Sequence, residues 1–265
     1  MDRVEVAGLR IGYERAGHGP PLVFVHGYVG DGPRTWRPQL HGLADDFTVV
    51  AWDAPGAGSS SDPPAGTGMA EYADYLAGFI NNLGLDNPHI VGLSFGGALA
   101  LEFNRRHPGI ARSLTLVSAY AGWRGSLPSE VADQRLRQAL ELADLSPGEL
   151  VDTLLPTMFC GTTSWDVVGA FGASLLEVRP VGFRAMARAS DVDLRETLPG
   201  INIPTLVVCG DQDVRAPLPV AQSLHSAITD SELVVLKGMG HLCNLEAPDA
   251  FNAALRTFLR ATAQR

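Results

Sequence analysis

The chain has 265 residues, 46% of them hydrophobic and 18% charged, with a formal net charge of −9. That balance describes a globular chain able to bury one substantial core, and its acidity argues against a broad basic face for nucleic acid or an anionic membrane. The opening Met1-Asp2-Arg3-Val4-Glu5-Val6 lacks the basic-then-apolar order of a secretory leader, and no apolar run reaches the ~18 residues of a membrane span, so a cytoplasmic location is expected.

Val4 to Val6 and Leu9 to Tyr13 flank Ala7-Gly8 and predict an antiparallel hairpin with one wet face. Leu22 to Val25 and Phe47 to Trp52 are continuous apolar runs, the pattern of strands buried on both faces. Tyr72, Leu76, Phe79, Ile80 and Leu83 recur at spacings of three and four and predict a helix. Pro88-His89-Ile90-Val91 reads as a short strand. Gly97 to Phe103 begins a helix that runs to about Arg106, where His107-Pro108-Gly109 stops it. Leu114 to Val117 is a further buried strand.

The alternation then breaks. From about 120 to 200 no β pattern appears, and a helical pattern is interrupted by Pro128, Pro147, Pro156 and Pro180. Strands resume at Thr205 to Cys209 and Leu233 to Leu236. A last amphipathic helix covers Pro248 to Arg260, with Phe251, Leu255, Phe258 and Leu259 on one face. Strands alternating with helices predict an α/β fold, a mostly parallel sheet flanked by helices. Residues 1–119 and 201–265 would form this core, with 120–200 inserted as a helical cap.

Gly92-Leu93-Ser94-Phe95-Gly96 lies between the strand ending near Val91 and the following helix. A serine on so sharp a turn must take strained backbone angles, and flanking glycines leave room for it. The hydroxyl is then lifted above the sheet edge, over a helix N-terminus that favours negative charge. Serine is a poor nucleophile until a base takes its proton, and that base, a histidine, needs a carboxylate to orient it. Ligands of such sheets bind at the carboxyl ends of the strands. Two later loops follow strands there: Gly210-Asp211-Gln212-Asp213 and Gly238-Met239-Gly240-His241. The order is serine, aspartate, histidine, with either Asp211 or Asp213 as the acid.

These motifs, with His26-Gly27 and Asp53-Ala54-Pro55-Gly56-Ala57-Gly58-Ser59 after earlier strands, resemble the α/β-hydrolase family over nearly the whole chain. The resemblance implies an eight-stranded, mostly parallel sheet with an inserted helical cap. The family's Gly-x-x-Asp pattern selects Asp213 over Asp211, and its Gly-His-x-x-x-x-Glu-x-Pro pattern is met by Gly240, His241, Glu246 and Pro248. It implies an oxyanion hole made by the backbone N–H groups of Phe95 and Tyr28, with Val29 as the neighbouring alternative. It also implies bracing roles for His26 and Asp53.

A serine nucleophile argues against the carboxylate-dependent dehalogenases and epoxide hydrolases of that fold. Leu93 stands where its carbon–carbon bond hydrolases often carry asparagine. The stretch from Gly240 to Pro248 looks like that of enol-lactonases and small-ester hydrolases. The expected activity is hydrolysis of a small carboxylic ester or lactone through an acyl-enzyme. The alternatives are a carbon–carbon bond hydrolase, a thioesterase, a cofactor-free perhydrolase or a non-catalytic binder of small ligands. Trp123, Met158, Phe159, Trp165, Phe171 and Met186 are the candidate substrate contacts, or equally the packing of the cap onto the core. Arg124, Arg179, Arg184 and Arg188 either meet a substrate carboxylate or form solvated helix faces. No cofactor is implied. The cysteines Cys160, Cys209 and Cys243 are odd in number, without Cys-x-x-Cys spacing, and indicate neither a disulfide framework nor a zinc or other metal site. The expected partner is a small-molecule substrate; the sequence does not set an oligomeric state.

Overall fold

β1 (Asp2–Val6) and β2 (Leu9–Ala16) pair antiparallel across Ala7 and Gly8. Both turn residues have positive φ, 46° and 82°, as a two-residue hairpin turn matched to strand twist requires. The structure is a computed structural model and describes residues 1–262.

β3 (Pro21–Val25) leads through a loop to α1 (Gly32–Gly42). The pattern reading did not pick out this helix, but its start is encoded: Asp31 accepts from the Arg34 amide at 2.8 Å, and Pro33 sits in the first turn. β4 (Thr48–Trp52), α2 (Met69–Asn82), β5 (His89–Leu93), α3 (Phe95–Arg106) and β6 (Ser113–Val117) follow. Between β6 and β7 the chain is helical: α4 (Trp123–Ser126), α5 (Ser129–Leu142), α6 (Pro147–Leu154), α7 (Trp165–Leu175) and α8 (Pro180–Ser190). The prolines that broke the pattern stand at helix starts or between helices, where a missing N–H costs nothing. β7 (Thr205–Gly210), α9 (Leu218–Ala227), β8 (Ser231–Leu236), α10 (Cys243–Glu246) and α11 (Pro248–Thr262) complete the chain.

The eight strands form one sheet in the order β1-β2-β4-β3-β5-β6-β7-β8, antiparallel only at β1·β2 and β2·β4. β4, β5, β6 and β7 are buried at every residue, whereas β8, at the edge, is at most half-buried. The continuous apolar runs therefore mark the centre of the sheet, covered by helices on both faces. Phe251, Leu255, Phe258 and Leu259 of α11 all lie in the core.

Two contacts seat α8 on the loop after β4. A Cβ on Gly182 would stand 2.0 Å from the carbonyl oxygen of Gly56, so the backbones meet directly. Arg179 reaches across at the same place, donating to the carbonyls of Gly58 (2.9 Å) and Ser60 (2.7 Å) and to Asp62 (2.8 Å).

Candidate active site

β5 ends at Leu93 and α3 begins at Phe95, leaving Ser94 alone to make the turn. Its φ of 52° and ψ of −109° lie where a residue with a Cβ is strained. The strain is held by the Ser94 amide donating to Val117 O (2.8 Å) and by the amides of Gly97 and Ala98 donating to Ser94 O (3.0 and 3.2 Å). Neither Gly92 nor Gly96 has a positive φ; they are needed for space. A Cβ on Gly92 would sit 2.1 Å from Gly96 O, and one on Gly96 would sit 2.4 Å from Val25 O. Serine at a helix N-cap ordinarily spends its hydroxyl on the first-turn amides. Ser94 occupies that position with no side-chain cap bond.

Asp213 and His241 leave the carboxyl ends of β7 and β8 and meet in the interior. His241 Nδ1 and Asp213 Oδ2 are 2.9 Å apart, and both residues are 4% exposed. The other carboxylate oxygen accepts from the amides of Arg215 (2.8 Å) and Ala216 (2.9 Å). Burial pushes the Asp213 carboxyl up; the charge and hydrogen bond of His241, with the two amides, outweigh it and hold the group below the ordinary aspartate value. Asp211 instead accepts from the Gly238 amide at 2.6 Å and belongs to the turn. The two loops are also laced by the Gln212 amide donating to Met239 O at 2.9 Å.

The loop after β3 passes beside the serine: a Cβ on Gly27 would lie 3.8 Å from Ser94 Cβ. His26 and Asp53 hold this loop. The Ala54 amide donates to His26 Nε2 at 3.0 Å, which leaves Nδ1 to donate to Gly27 O at 2.5 Å. Burial drives the His26 pKa down, against the pull of Gly27 O and Asp31, and the ring is neutral. Asp53 accepts from the amides of Gly32 (2.9 Å) and Ser59 (2.8 Å), and burial pushes its carboxyl up to about 6.

Phe95 is the first residue of α3, so its amide has no partner within the helix; its ring turns away, edge-on to Tyr72 at 5.3 Å. Tyr28 is buried. Its ring lies 5.8 Å from Trp123 and 5.2 Å from Phe183, with the Arg215 guanidinium 5.7 Å away over its face. Trp123 therefore lies beside the loop after β3. Phe171 packs where a Cβ on Gly30 would be, 3.2 Å away, and meets Phe159 edge-on at 5.8 Å. Met186 is buried and, with Tyr28, Gly30 and Phe183, lines a small cavity of about 30 Å³. Met158 is buried, its carbonyl accepting from the Leu242 amide at 3.1 Å, beside His241. Trp165 stands apart: it is 87% exposed and lines an outer groove of about 420 Å³ with Leu155, Phe159 and Val168. As the first residue of α7, its ring projects from a helix end, which a pattern reading cannot distinguish from an inward one.

Three of the four arginines flagged in the helical segment are already matched. Arg124 pairs with Asp133 and Asp191, Arg179 with Asp62, and Arg184 with Asp144; Arg188 is exposed. The sequence reading missed Arg215, Tyr120, Arg135 and the work of Glu246. Glu246 Oε1 accepts from the Gly240 amide (2.7 Å), and Oε2 accepts from the Cys160 amide (2.8 Å) and Thr163 hydroxyl (2.7 Å). It ties the His241 loop to the helical segment. Arg215 had a signal, two places after Asp213; Tyr120 and Arg135 had none, because contact across the chain brings them there. Among the described residues, no group of three or more His, Cys, Asp or Glu could hold a metal ion, and no helix is long and apolar enough to cross a membrane.

Comparison with known proteins identifies the fold. A family model described as "Alpha/beta hydrolase family" matches residues 22–254. A dihydrolipoyllysine-residue acetyltransferase component of an acetoin cleaving system from Cupriavidus necator is 31% identical over 268 residues, 96% of this chain and 68% of that protein. A thermophilic esterase from Thermogutta terrifontis, solved with malate bound, superposes with a TM-score of 0.91 at 29% identity over 99% of both chains. The enol-lactonase from Burkholderia xenovorans superposes with a TM-score of 0.87 at 25% identity, covering 98% of this chain and 100% of that one.

Proposed function

Because the chain belongs to the alpha/beta hydrolase family, we propose that it hydrolyses small carboxylic esters or lactones through Ser94, His241 and Asp213. The observation that carries this reading is the strained Ser94 with its hydroxyl unspent on the helix, alongside a buried His241–Asp213 pair. The esterase and enol-lactonase among the structural relatives support the choice of bond.

In this mechanism His241 takes the Ser94 proton as the hydroxyl oxygen attacks the carbonyl carbon. The developing oxyanion is held by the amides of Phe95 and Tyr28. The carbonyl re-forms, the alcohol leaves with the proton from His241, and an acyl-serine remains. Water, deprotonated by His241, releases the acid and restores Ser94. Asp213 holds the imidazole tautomer and stabilises its charged form. Residues 120–200 serve as a cap, with Trp123, Met158, Phe171 and Met186 as pocket walls on its inner side; Phe159, which meets Phe171 from the outer groove, and Trp165 would act at that groove.

Incubation with a fluorophosphonate probe, followed by peptide mass spectrometry, tests this. Labelling of Ser94 that is lost in Ser94→Ala, together with turnover of p-nitrophenyl acetate, is the expected result. An unlabelled, inactive protein that binds a small ligand tightly would make it a receptor on a hydrolase fold.

A further inference from the structure

Among the described residues, four of the seven half-buried arginines are paired with carboxylates. Arg34 pairs with Asp31 and Glu177, Arg179 with Asp62, Arg184 with Asp144, and Arg256 with Asp46. Among the described residues, three half-buried arginines have no carboxylate within salt-bridge distance: Arg112, Arg135 and Arg215. Arg112 donates to Thr262 O, at the negative end of α11 (3.4 Å). Arg135 is spent on Tyr120 Oη (2.6 Å) and Arg215 O (3.1 Å). Arg215 donates Nη1 to Thr157 Oγ1 (2.9 Å) and Nη2 to Tyr28 Oη. Both of its partners are hydroxyl groups, neither of them a carboxylate.

The position of Arg215 matters more than its bareness. Its own amide donates to Asp213, the partner of His241. Its guanidinium lies over the ring of Tyr28, next in sequence to the glycine that passes Ser94. Thr157, its other partner, precedes Met158 in the helical segment. The cation thus stands where the acid loop, the loop after β3 and the inserted helices converge. Arg135, 5.1 Å from the Tyr120 ring and 5.9 Å from that of Trp123, adds a second positive charge behind it. Partly removing a guanidinium from water against neutral partners is costly, whereas a carboxylate offers it a charge-assisted, two-pronged acceptor.

We propose that Arg215 is a specificity-determining residue, its guanidinium receiving a free carboxylate carried by the ester or lactone substrate beside Tyr28 and Thr157. The proposal rests on the hydrolase reading above and narrows its substrate class to acids that keep one carboxylate free. A substrate carboxylate takes over the N–H groups now given to the two hydroxyls, and the neutral remainder of the acyl or alcohol arm lies against Trp123 and Phe183.

The test compares p-nitrophenyl acetate with p-nitrophenyl hemisuccinate, which adds a free carboxylate. In Arg215→Met, the ratio of kcat/KM for hemisuccinate over acetate falls about tenfold or more, chiefly through KM; Arg215→Lys keeps the charge and part of the ratio. A ratio unchanged in both variants, with both substrates slowed equally, overturns the proposal and leaves Arg215 as a brace between loops. A second measurement does not need turnover: succinate raises the melting temperature of Ser94→Ala but not of Ser94→Ala/Arg215→Met. Equal shifts in the two proteins overturn the proposal as well. Should Arg215→Met not fold, Arg215→Gln, which retains hydrogen-bonding capacity without charge, replaces it in both arms. Failure of the hydrolase reading is distinguished by an unlabelled Ser94, and succinate binding still decides the role of Arg215.

Discussion

The loops at the carboxyl ends of β5, β7 and β8 and the helices between β6 and β7 are held in different ways. In the loops, backbone presses on backbone: Gly92 on Gly96, Gly96 on Val25, and Gly210 on Met239, where a Cβ would find an atom within 2.4 Å in each case. In the helical segment only Gly122 and Gly182 press so closely, each 2.0 Å from a carbonyl oxygen (Val192 and Gly56), while Gly148, Gly161 and Gly169 have nothing within 4 Å of an added Cβ. Ion pairs such as Arg124–Asp133 and Arg184–Asp144 brace that segment, while Trp165, Leu176 and Val181 lie exposed. The proposed chemistry sits where backbone is pressed closely on backbone. On the proposed reading, the choice of substrate falls to the more openly packed helical segment. Glu246 joins the two, and Arg179 ties the helical segment to the loop after β4.

The largest effect expected is on turnover. Ser94→Ala and His241→Ala each lower kcat on p-nitrophenyl acetate by about 10³-fold or more. The double variant falls no further, since the two side chains act on one proton; additive losses in steady-state kinetics would break the picture of the rim as one unit. Next comes Gly96→Ala. Its Cβ must displace the Val25 carbonyl on β3, at a cost of about 3 kcal/mol, read as a lower urea midpoint with unchanged slope.

Asp53 tests the rim by pH. Its folded carboxyl titrates near 6 and its unfolded one at 3.8, so between those values the folded state holds more protons. Its contribution therefore falls as pH rises through that window, by about 2–3 kcal/mol in all. Denaturation of Asp53→Asn between pH 4 and 6 should lack this slope relative to wild type; parallel curves would remove Asp53 as its source. The smallest effect is a gain. Gly169→Ala, inside α7 with open space around it, should stabilise the protein by about 0.5–1 kcal/mol. A loss would show that the helical segment is packed as tightly as the rim.

Sheet and helices were legible because buried parallel strands leave continuous apolar runs and surface helices leave periodic ones. The sharp turn at Ser94 was legible because glycine is the residue that fits where Gly92 and Gly96 press on neighbouring backbone. α1 went unread: its apolar spacing is weak, though Asp31 and Pro33 announced its start. Trp165 shows a different gap, since an aromatic residue in a helical segment carries no sign of the side on which it will lie.

By itself, the order of residues determined which strands are central, where the chain turns sharply and which side chains stand at strand ends, all of them local or periodic properties of a chain. Tertiary structure alone decided that Arg124 and Arg184 are neutralised, and that Arg215 reaches Tyr28 and Thr157 with no carboxylate among the described residues to oppose it. Those outcomes depend on distances between segments far apart in sequence, and charge compensation has no period to read.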